Sequence, residues 1–196
     1  AEMLRKSVKE ENGVATELAG FIASEVDRTN SLVTRFLEFA RPLQLRLEAG
    51  SLDAVLDQAV ARLEREGAAD NVTVFKNYSP DVPPFAFDAE LMERVFYNLL
   101  RNAVQASPPG GAVTVKTRPA GAYAEISVID CGTGIDPQHR ESIFNPFFTT
   151  KPDGVGLGLS VVSKIVDQHR GKIEVVSEPG KGSAFHVYLP LRDTES

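Results

Sequence analysis

Asn98-Leu-Leu-Arg-Asn102-Ala, Asp130-Cys-Gly-Thr-Gly134 and Gly154-Val-Gly156-Leu-Gly158-Leu, in that order, decide how this chain reads. The first stretch sets two carboxamides four residues apart, on one face of a helix. The second ends the apolar strand Ile126-Ser-Val-Ile129 on a carboxylate and follows it with two glycines, which let backbone turn and approach a ligand without Cβ clash. The third is a glycine-rich loop entering an amphipathic helix, where N–H groups and the helix dipole together form an anion cradle. A carboxylate for a base edge, an amide oxygen for a metal and N–H groups for phosphates suit a nucleotide. ATP is the expected ligand. Each stretch alone recurs by chance; the conjunction of helix, strand end and loop-to-helix does not.

Around the first stretch, residues 88 to 106 read as a helix capped by Asp88. Arg94, Asn98, Asn102 and Gln105 make one polar stripe, and Val95, Phe96, Leu99, Leu100, Ala103 and Val104 the buried faces. An Asn oxygen suits Mg²⁺, a hard ion that keeps several waters and takes few protein oxygens beside phosphates. Arg94 shares that stripe and could face phosphate, the commoner reading being an ordinary solvated arginine.

Elsewhere the chain alternates strand and helix patterns. Leu43, Leu45 and Leu47 alternate as a strand, and Ser51 caps a helix to about Arg65 striped by Leu52, Val55, Leu56, Ala59, Val60 and Leu63. Strands are expected at 72–78, 112–118, 123–130, 172–177 and 184–189, and a further helix at 157–169. Pro80, Pro83 and Pro84 break the stretch before Asp88, and residues 136–154 read as a loop. Hairpin-joined strands with helices collected on one side predict an α+β, two-layer sandwich. Ahead of it, Val14, Leu18, Phe21, Ile22, Val26, Leu32, Val33, Phe36, Leu37 and Ala40 keep helical spacing until Arg41-Pro42. That helix packs either on its own domain or in a helical-bundle dimer.

At 196 residues there is room for one ordinary domain and a smaller element. A net charge of −6, with no basic run, argues against a nucleic-acid surface. One cysteine excludes a disulfide framework and fits a reducing compartment, so Asn71-Val-Thr73 and Asn77-Tyr-Ser79 are chance sequons. No apolar run approaches the roughly 18 residues of a membrane span.

The motifs resemble those of the ATP-binding domain shared by sensor histidine kinases, DNA gyrase, Hsp90 and MutL-type repair proteins, a two-layer α/β sandwich of the Bergerat type. Ile143-Phe-Asn-Pro-Phe147-Phe148-Thr149-Thr150-Lys151 looks like the F box of histidine kinases. Gly180-Lys-Gly182-Ser183 looks like the last glycine box, with Ser where Thr is more usual. Phe36-Leu-Glu-Phe-Ala-Arg41-Pro42 is similar to the helix end of nitrogen-regulation-type kinases. The resemblance implies residues 1–42 as a partial dimerisation hairpin and 43–196 as the catalytic domain. It implies Asn102 as the Mg²⁺ ligand and Asn98 as its phosphate-side neighbour, these two being the catalytic residues. Asp130 would accept a hydrogen bond from the adenine amine. Gln105, Gly132, Gly134, Ile135, Phe148, Thr149, Thr150, Lys151, Gly154, Val155, Gly156, Leu157, Gly158, Leu159 and Ser183 would complete the ATP site, with 147–153 as a lid. For Lys151 the alternative is an ordinary solvated lysine.

The implied activity is transfer of the ATP γ-phosphoryl to a histidine, then to an aspartate of a response-regulator receiver domain. The implied assembly is a homodimer through residues 14–41, in the cytoplasm of a bacterium, any membrane segment lying upstream. His139 falls near the lid, His186 in a strand, and His169 at a helix end where a cation favours the dipole. None sits in an acceptor motif, so the acceptor is expected upstream of Ala1. A clamp-type ATPase, an anti-sigma-type serine kinase and a non-catalytic nucleotide-binding scaffold are the alternatives. The F box and the Arg41-Pro42 helix end favour the histidine kinase.

Overall fold

The computed structural model describes residues 17–26, 29–30, 33–34, 37, 43–69, 71–151 and 154–191. The chain divides into two compact units, Ala1–Arg41 and Pro42–Ser196. In the first, the described residues are helical, and Leu18, Phe21, Ile22 and Val26 are exposed. Val14, Leu32, Phe36, Ala40 and the Arg41-Pro42 ending lie outside the described residues.

The second unit runs β1 (Glu48–Gly50), α1 (Leu52–Arg65), β2 (Val72–Asn77), β3 (Phe85–Phe87), α2 (Ala89–Ala106), β4 (Gly111–Ala120), β5 (Tyr123–Asp130), a short 3₁₀ turn (Pro137–His139), α3 (Gly158–Gln168), β6 (Lys172–Glu178) and β7 (Gly182–Pro190). Five strands form one sheet in the order β2-β4-β5-β7-β6. All neighbours are antiparallel except β2 and β4, which run parallel because α2 intervenes between them in sequence.

The three helices cover one face of this sheet, as the two-layer expectation requires. The six expected apolar positions of α1 are all buried, as are those of α2. They meet Val113 and Val115 of β4, Ile126 and Val128 of β5, and Val187 and Leu189 of β7. The opposite face is polar, yet it contains a buried carboxylate. Glu125 is 3% exposed and receives Arg118 Nε at 2.8 Å and Ser127 Oγ at 3.2 Å.

Three local expectations need correction. Leu43, Leu45 and Leu47 form no strand; β1 begins at Glu48, because its only partner among the described residues is the three-residue β3, with Glu48 opposite Phe87. That partner was not expected, since the prolines before it suggest a break. Phe85 and Phe87 nevertheless start a strand directly after Pro84 and bury both rings. Ser51 occupies the N-cap position of α1 but its side chain makes no cap hydrogen bond.

Asp88 caps α2 as expected, its Oδ1 accepting Leu91 N–H at 3.0 Å, and it does more. Its Oδ2 accepts Arg46 N–H at 2.9 Å, and its own N–H donates to His169 Nε2 at 3.0 Å. His169 Nδ1 in turn lies 2.8 Å from Ile165 O. An Nε2 that accepts a backbone N–H carries no proton, so this imidazole is a neutral connector between α2 and α3. It is not the dipole-facing cation expected from its position. Replacing it leaves a buried N–H without a partner and a cavity. His169→Ala is expected to destabilise the fold by about 2–4 kcal/mol, read as a lower urea midpoint with an unchanged slope.

Candidate functional site

The site forms where the polar stripe of α2, the end of β5, the glycine-rich entry to α3 and the β6–β7 turn meet. β5 delivers Asp130 at its last position, opposite Val113 of β4. The carboxylate is buried, 6% exposed. Its Oδ1 accepts Gly132 N–H at 2.8 Å and Ser183 N–H at 3.1 Å, and among the described residues no hydrogen bond reaches Oδ2. Burial pushes its pKa up, and the two N–H groups offset part of that.

The glycines are dictated by close backbone approach. A Cβ on Gly132 would run into the Ala106 carbonyl at the C-terminal end of α2. Gly182, at φ +90°, would place one against the Asp130 carbonyl. The turn after Asp130 is therefore pressed between α2 and the start of β7. Ser177 holds it from the far side, its Oγ accepting Ile135 N–H at 2.8 Å and lying 2.9 Å from Ser183 Oγ. Cys131 also gains a role here. Its Sγ takes Ala112 N–H at 3.3 Å and points back at Ala112 O at 3.4 Å, extending the β4–β5 pairing by one residue.

On α2, Asn98, Asn102 and Gln105 line one side, with Arg94 a turn earlier. Asn98 Nδ2 donates to Arg94 O at 2.8 Å, which turns Oδ1 toward the entry of α3. A Cβ on Gly158 would come 3.4 Å from that oxygen. The polar stripe thus faces the N-terminal turn of α3, where Gly158 and Leu159 present backbone N–H groups while the Leu157 side chain is buried in the core. Val155 and Gly156 precede that turn.

Residues 147–151 and 154–156 lie beside the stripe. Phe147 N–H donates to Gly156 O at 2.9 Å and so closes the loop at its base. Phe147 and Gly156 both take left-handed backbone, at φ 67° and 70°, which marks the base as a strained turn. Phe148 lies 5.4 Å, ring to ring, from His139. Thr149 Oγ1 accepts Lys151 N–H at 3.1 Å, and Gly154 N–H reaches Lys151 O at 3.1 Å. Thr150 is exposed beside them, while Pro152 and Asp153 lie outside the described residues. Lys151 Nζ donates to Gln105 Oε1 at 2.6 Å, so the loop is tied to the α2 stripe. Burial first, and Arg101 second, hold the Lys151 pKa down.

The structure sets Asp130 against Gly132 and Ser183, Asn98 beside Gly158, and Lys151 on Gln105. Ser177, Arg101 and Arg140 were missed. Arg140 Nη2 donates to the Ser177 carbonyl, a contact spanning 37 residues of sequence that no local pattern announces. Among the described residues no cluster of three or more His, Cys, Asp or Glu could hold a metal. A metal here would need ligand phosphates to complete its shell, and a neutral Asn oxygen beside them fits that requirement.

Comparison with known proteins agrees with this geometry. Residues 87–193 match the family described as histidine kinase-, DNA gyrase B- and HSP90-like ATPase. The chain is 37% identical over 182 residues to the sensor histidine kinase ZraS of Escherichia coli (strain K12), covering 93% of this chain and 39% of that protein. It therefore spans about two fifths of the curated kinase it matches. Among solved structures, a mycobacterial sensor histidine kinase, MprB, superposes with a TM-score of 0.67 at 31% identity, over 76% of this chain and all of that one. Histidine kinase ThkA, in complex with response regulator protein TrrA, gives 0.74 at 25% identity, over 90% of this chain and 51% of that one. The chain belongs to the histidine kinase-, DNA gyrase B- and HSP90-like ATPase family, as an ATP-binding catalytic domain of the sensor histidine kinase kind.

Proposed function

We propose that this domain binds ATP with Mg²⁺ and passes the γ-phosphoryl group to a histidine outside the chain, for relay to a response-regulator aspartate. The carrying observation is Asp130, a buried carboxylate with one oxygen fixed by two N–H groups and the other left for a base. An acceptor there suits the exocyclic amine of adenine and opposes the carbonyl of guanine. Asn102 would supply the metal's protein oxygen, and Asn98 and Gln105 the phosphate-side contacts. The N–H groups from Gly154 to Leu159 would meet phosphate oxygens at the start of α3. Lys151 would reach them from the lid. Mg²⁺ would neutralise charge on the phosphates, so catalysis rests on positioning and electrostatics.

Two of the chain's own histidines are poor acceptors. His169 is buried with both ring nitrogens engaged, and His186 Nδ1 is held between Ser127 and Glu125. The response regulator as recipient rests on the ThkA–TrrA complex and on kinship with two-component sensors. A homodimer through residues 14–41 is supported by Leu18, Phe21, Ile22 and Val26, apolar at helical spacing and more than half exposed. No described helix is long and apolar enough to cross a membrane.

Calorimetric titration is expected to give Mg²⁺-ATP binding well above Mg²⁺-GTP, and Asp130→Asn to remove that preference. Equal affinities in the wild type defeat the Asp130 assignment. Since the folded Asp130 pKa lies above its ordinary value, ionised Asp130 costs stability once the pH exceeds both values. That cost grows as the pH rises from the ordinary value to the raised one and is complete above it. Asp130→Asn should therefore leave the nucleotide-free melting temperature unchanged or raised, even as it abolishes base selectivity.

Water should be a poor acceptor in this site. In clamp-type ATPases of the superfamily, a glutamate four residues before the metal-binding Asn orients water; here that position is Asn98, and an amide is no general base. Glu93, the nearest carboxylate on α2, is engaged by Arg62 at 3.3 Å. Hydrolysis is expected well below about 1 s⁻¹ and unaffected by Glu93→Gln. With labelled ATP, acid-labile phosphate should appear on an acceptor helix supplied in trans and not on His139, His169 or His186. Several turnovers per second, lost in Glu93→Gln, would place the chain with the ATPases.

A further inference from the structure

Gln105 accepts the Lys151 ammonium, and one turn before Gln105 on the same helix stands a second cation, Arg101. At 100° per residue Arg101 lies about 60° from Asn98 around α2, on the flank where Gln105 and Lys151 meet. Its guanidinium carbon sits 5.7 Å from the centre of the Tyr97 ring. Its Nε is buried and has no hydrogen-bond partner. The acid whose charge bears on it is Glu66, and both oxygens of Glu66 are taken. Oε1 receives Arg62 Nε at 3.1 Å, and Oε2 the Tyr97 hydroxyl. Among the described residues, neither Arg101 nor Lys151 forms an ion pair.

Two neighbouring cations, with a neutral amide between them and an acid on one side whose oxygens are already taken, are unfavourable to each other in the free protein. The depressed Lys151 pKa has Arg101 as its second cause. Such a pair becomes favourable when a multiply charged anion lies between them. Each cation then gains charge-assisted hydrogen bonds, and their mutual repulsion is screened. Tyr97 holds the guanidinium in place by a cation–π contact without neutralising it.

Building on the ATP-site reading above, we infer that Arg101 is a phosphate-binding residue. With Lys151 it forms a two-cation clamp, one arm on rigid α2 and one on the lid, that selects nucleoside triphosphate over diphosphate. The base and the inner phosphates are served by Asp130 and the glycine-rich turn, so those contacts do not distinguish ATP from ADP. The clamp faces the outer end of the nucleotide, where only the triphosphate offers the extra charge.

The test is calorimetric titration of Mg²⁺-ATP and Mg²⁺-ADP into the chain and its variants. Arg101→Gln is expected to weaken ATP about tenfold or more and ADP less than about threefold. Lys151→Gln should act in the same direction. The double variant should lose less than the product of the two single losses, because either substitution alone already relieves the repulsion. Arg101→Lys keeps the charge but loses the guanidinium fork. It should cost ATP a few-fold and ADP nothing, and it is decisive should Arg101→Gln fail to fold. Equal losses for ATP and ADP, or none for either, overturn the clamp while leaving the nucleotide site standing. A wild-type chain that binds neither nucleotide overturns both readings, and Asp130→Asn separates the cases because it weakens ATP and ADP alike.

Discussion

One carboxylate oxygen, Asp130 Oδ1, accepts N–H groups from Gly132 and from Ser183, residues 2 and 53 positions away, and the shape of the pocket depends on that pairing. It ties the end of β5 to its own following turn and to the first residues of β7. Once Oδ1 is committed, rotation about the side chain is fixed and Oδ2 has one direction left. The backbone then has no slack. Gly132 is pressed against α2 and Gly182 against Asp130 itself, so any side chain at either position would push the carboxylate out of place. Burying a charge here works against stability, and two N–H donors offset only part of that. A buried carboxylate with half its acceptor capacity unused is better explained by a ligand than by the fold.

A second junction orients the rest. Asp88 joins the segment before β1, the start of α2 and, through His169, the end of α3. It fixes the start of α2 against the end of α3, in the helix pair whose facing residues are Asn98 and Gly158. A one-residue slip of α2 would turn Asn98 and Asn102 about 100° away from α3, and the Asp88 cap opposes that slip. The amide stripe is therefore rigid, while the residues that reach it from above belong to a loop closed by one hydrogen bond between Phe147 and Gly156. Helices and strands carry the base and metal contacts in the proposed reading, and Lys151 meets them from the loop.

Much of this was legible in the chain because it is written in local periods. The stripes of α1 and α2 follow from 3.6-residue spacing, and β5 with its terminal Asp130 from its apolar run. What escaped reading depends on partners far away in sequence. β3 is a strand only because β1 pairs with it, and three prolines disguise its start. His169 looks like a helix-terminal cation until Asp88, 81 residues earlier, supplies the N–H that makes it neutral. Ser177 looks like any strand serine until the Ile135 N–H arrives across 42 residues. Arg101 sits inside the most telling motif of the chain and still escaped, because its charge environment is set by Glu66, Tyr97 and Lys151 rather than by its neighbours.

The inventory of the pocket also limits its chemistry. Along α2 the side chains facing the loop are amides and arginines, none of which removes a proton near neutral pH. Asp130 is committed to backbone donors and, in the proposed reading, to the base; Glu93 is committed to Arg62. Water attacking a phosphoryl group must lose a proton, so a site without a base favours it poorly. A neutral imidazole has a ring nitrogen with an available lone pair, and needs no deprotonation to attack. In the proposed reading, the lack of a base among the described residues would make the pocket a weak hydrolase and still leave it competent toward a histidine, provided the acceptor is delivered to the phosphate end. Selectivity between relay and waste would then reside in which nucleophile is presented, and the domain's own part is to hold the triphosphate still and charged until one is.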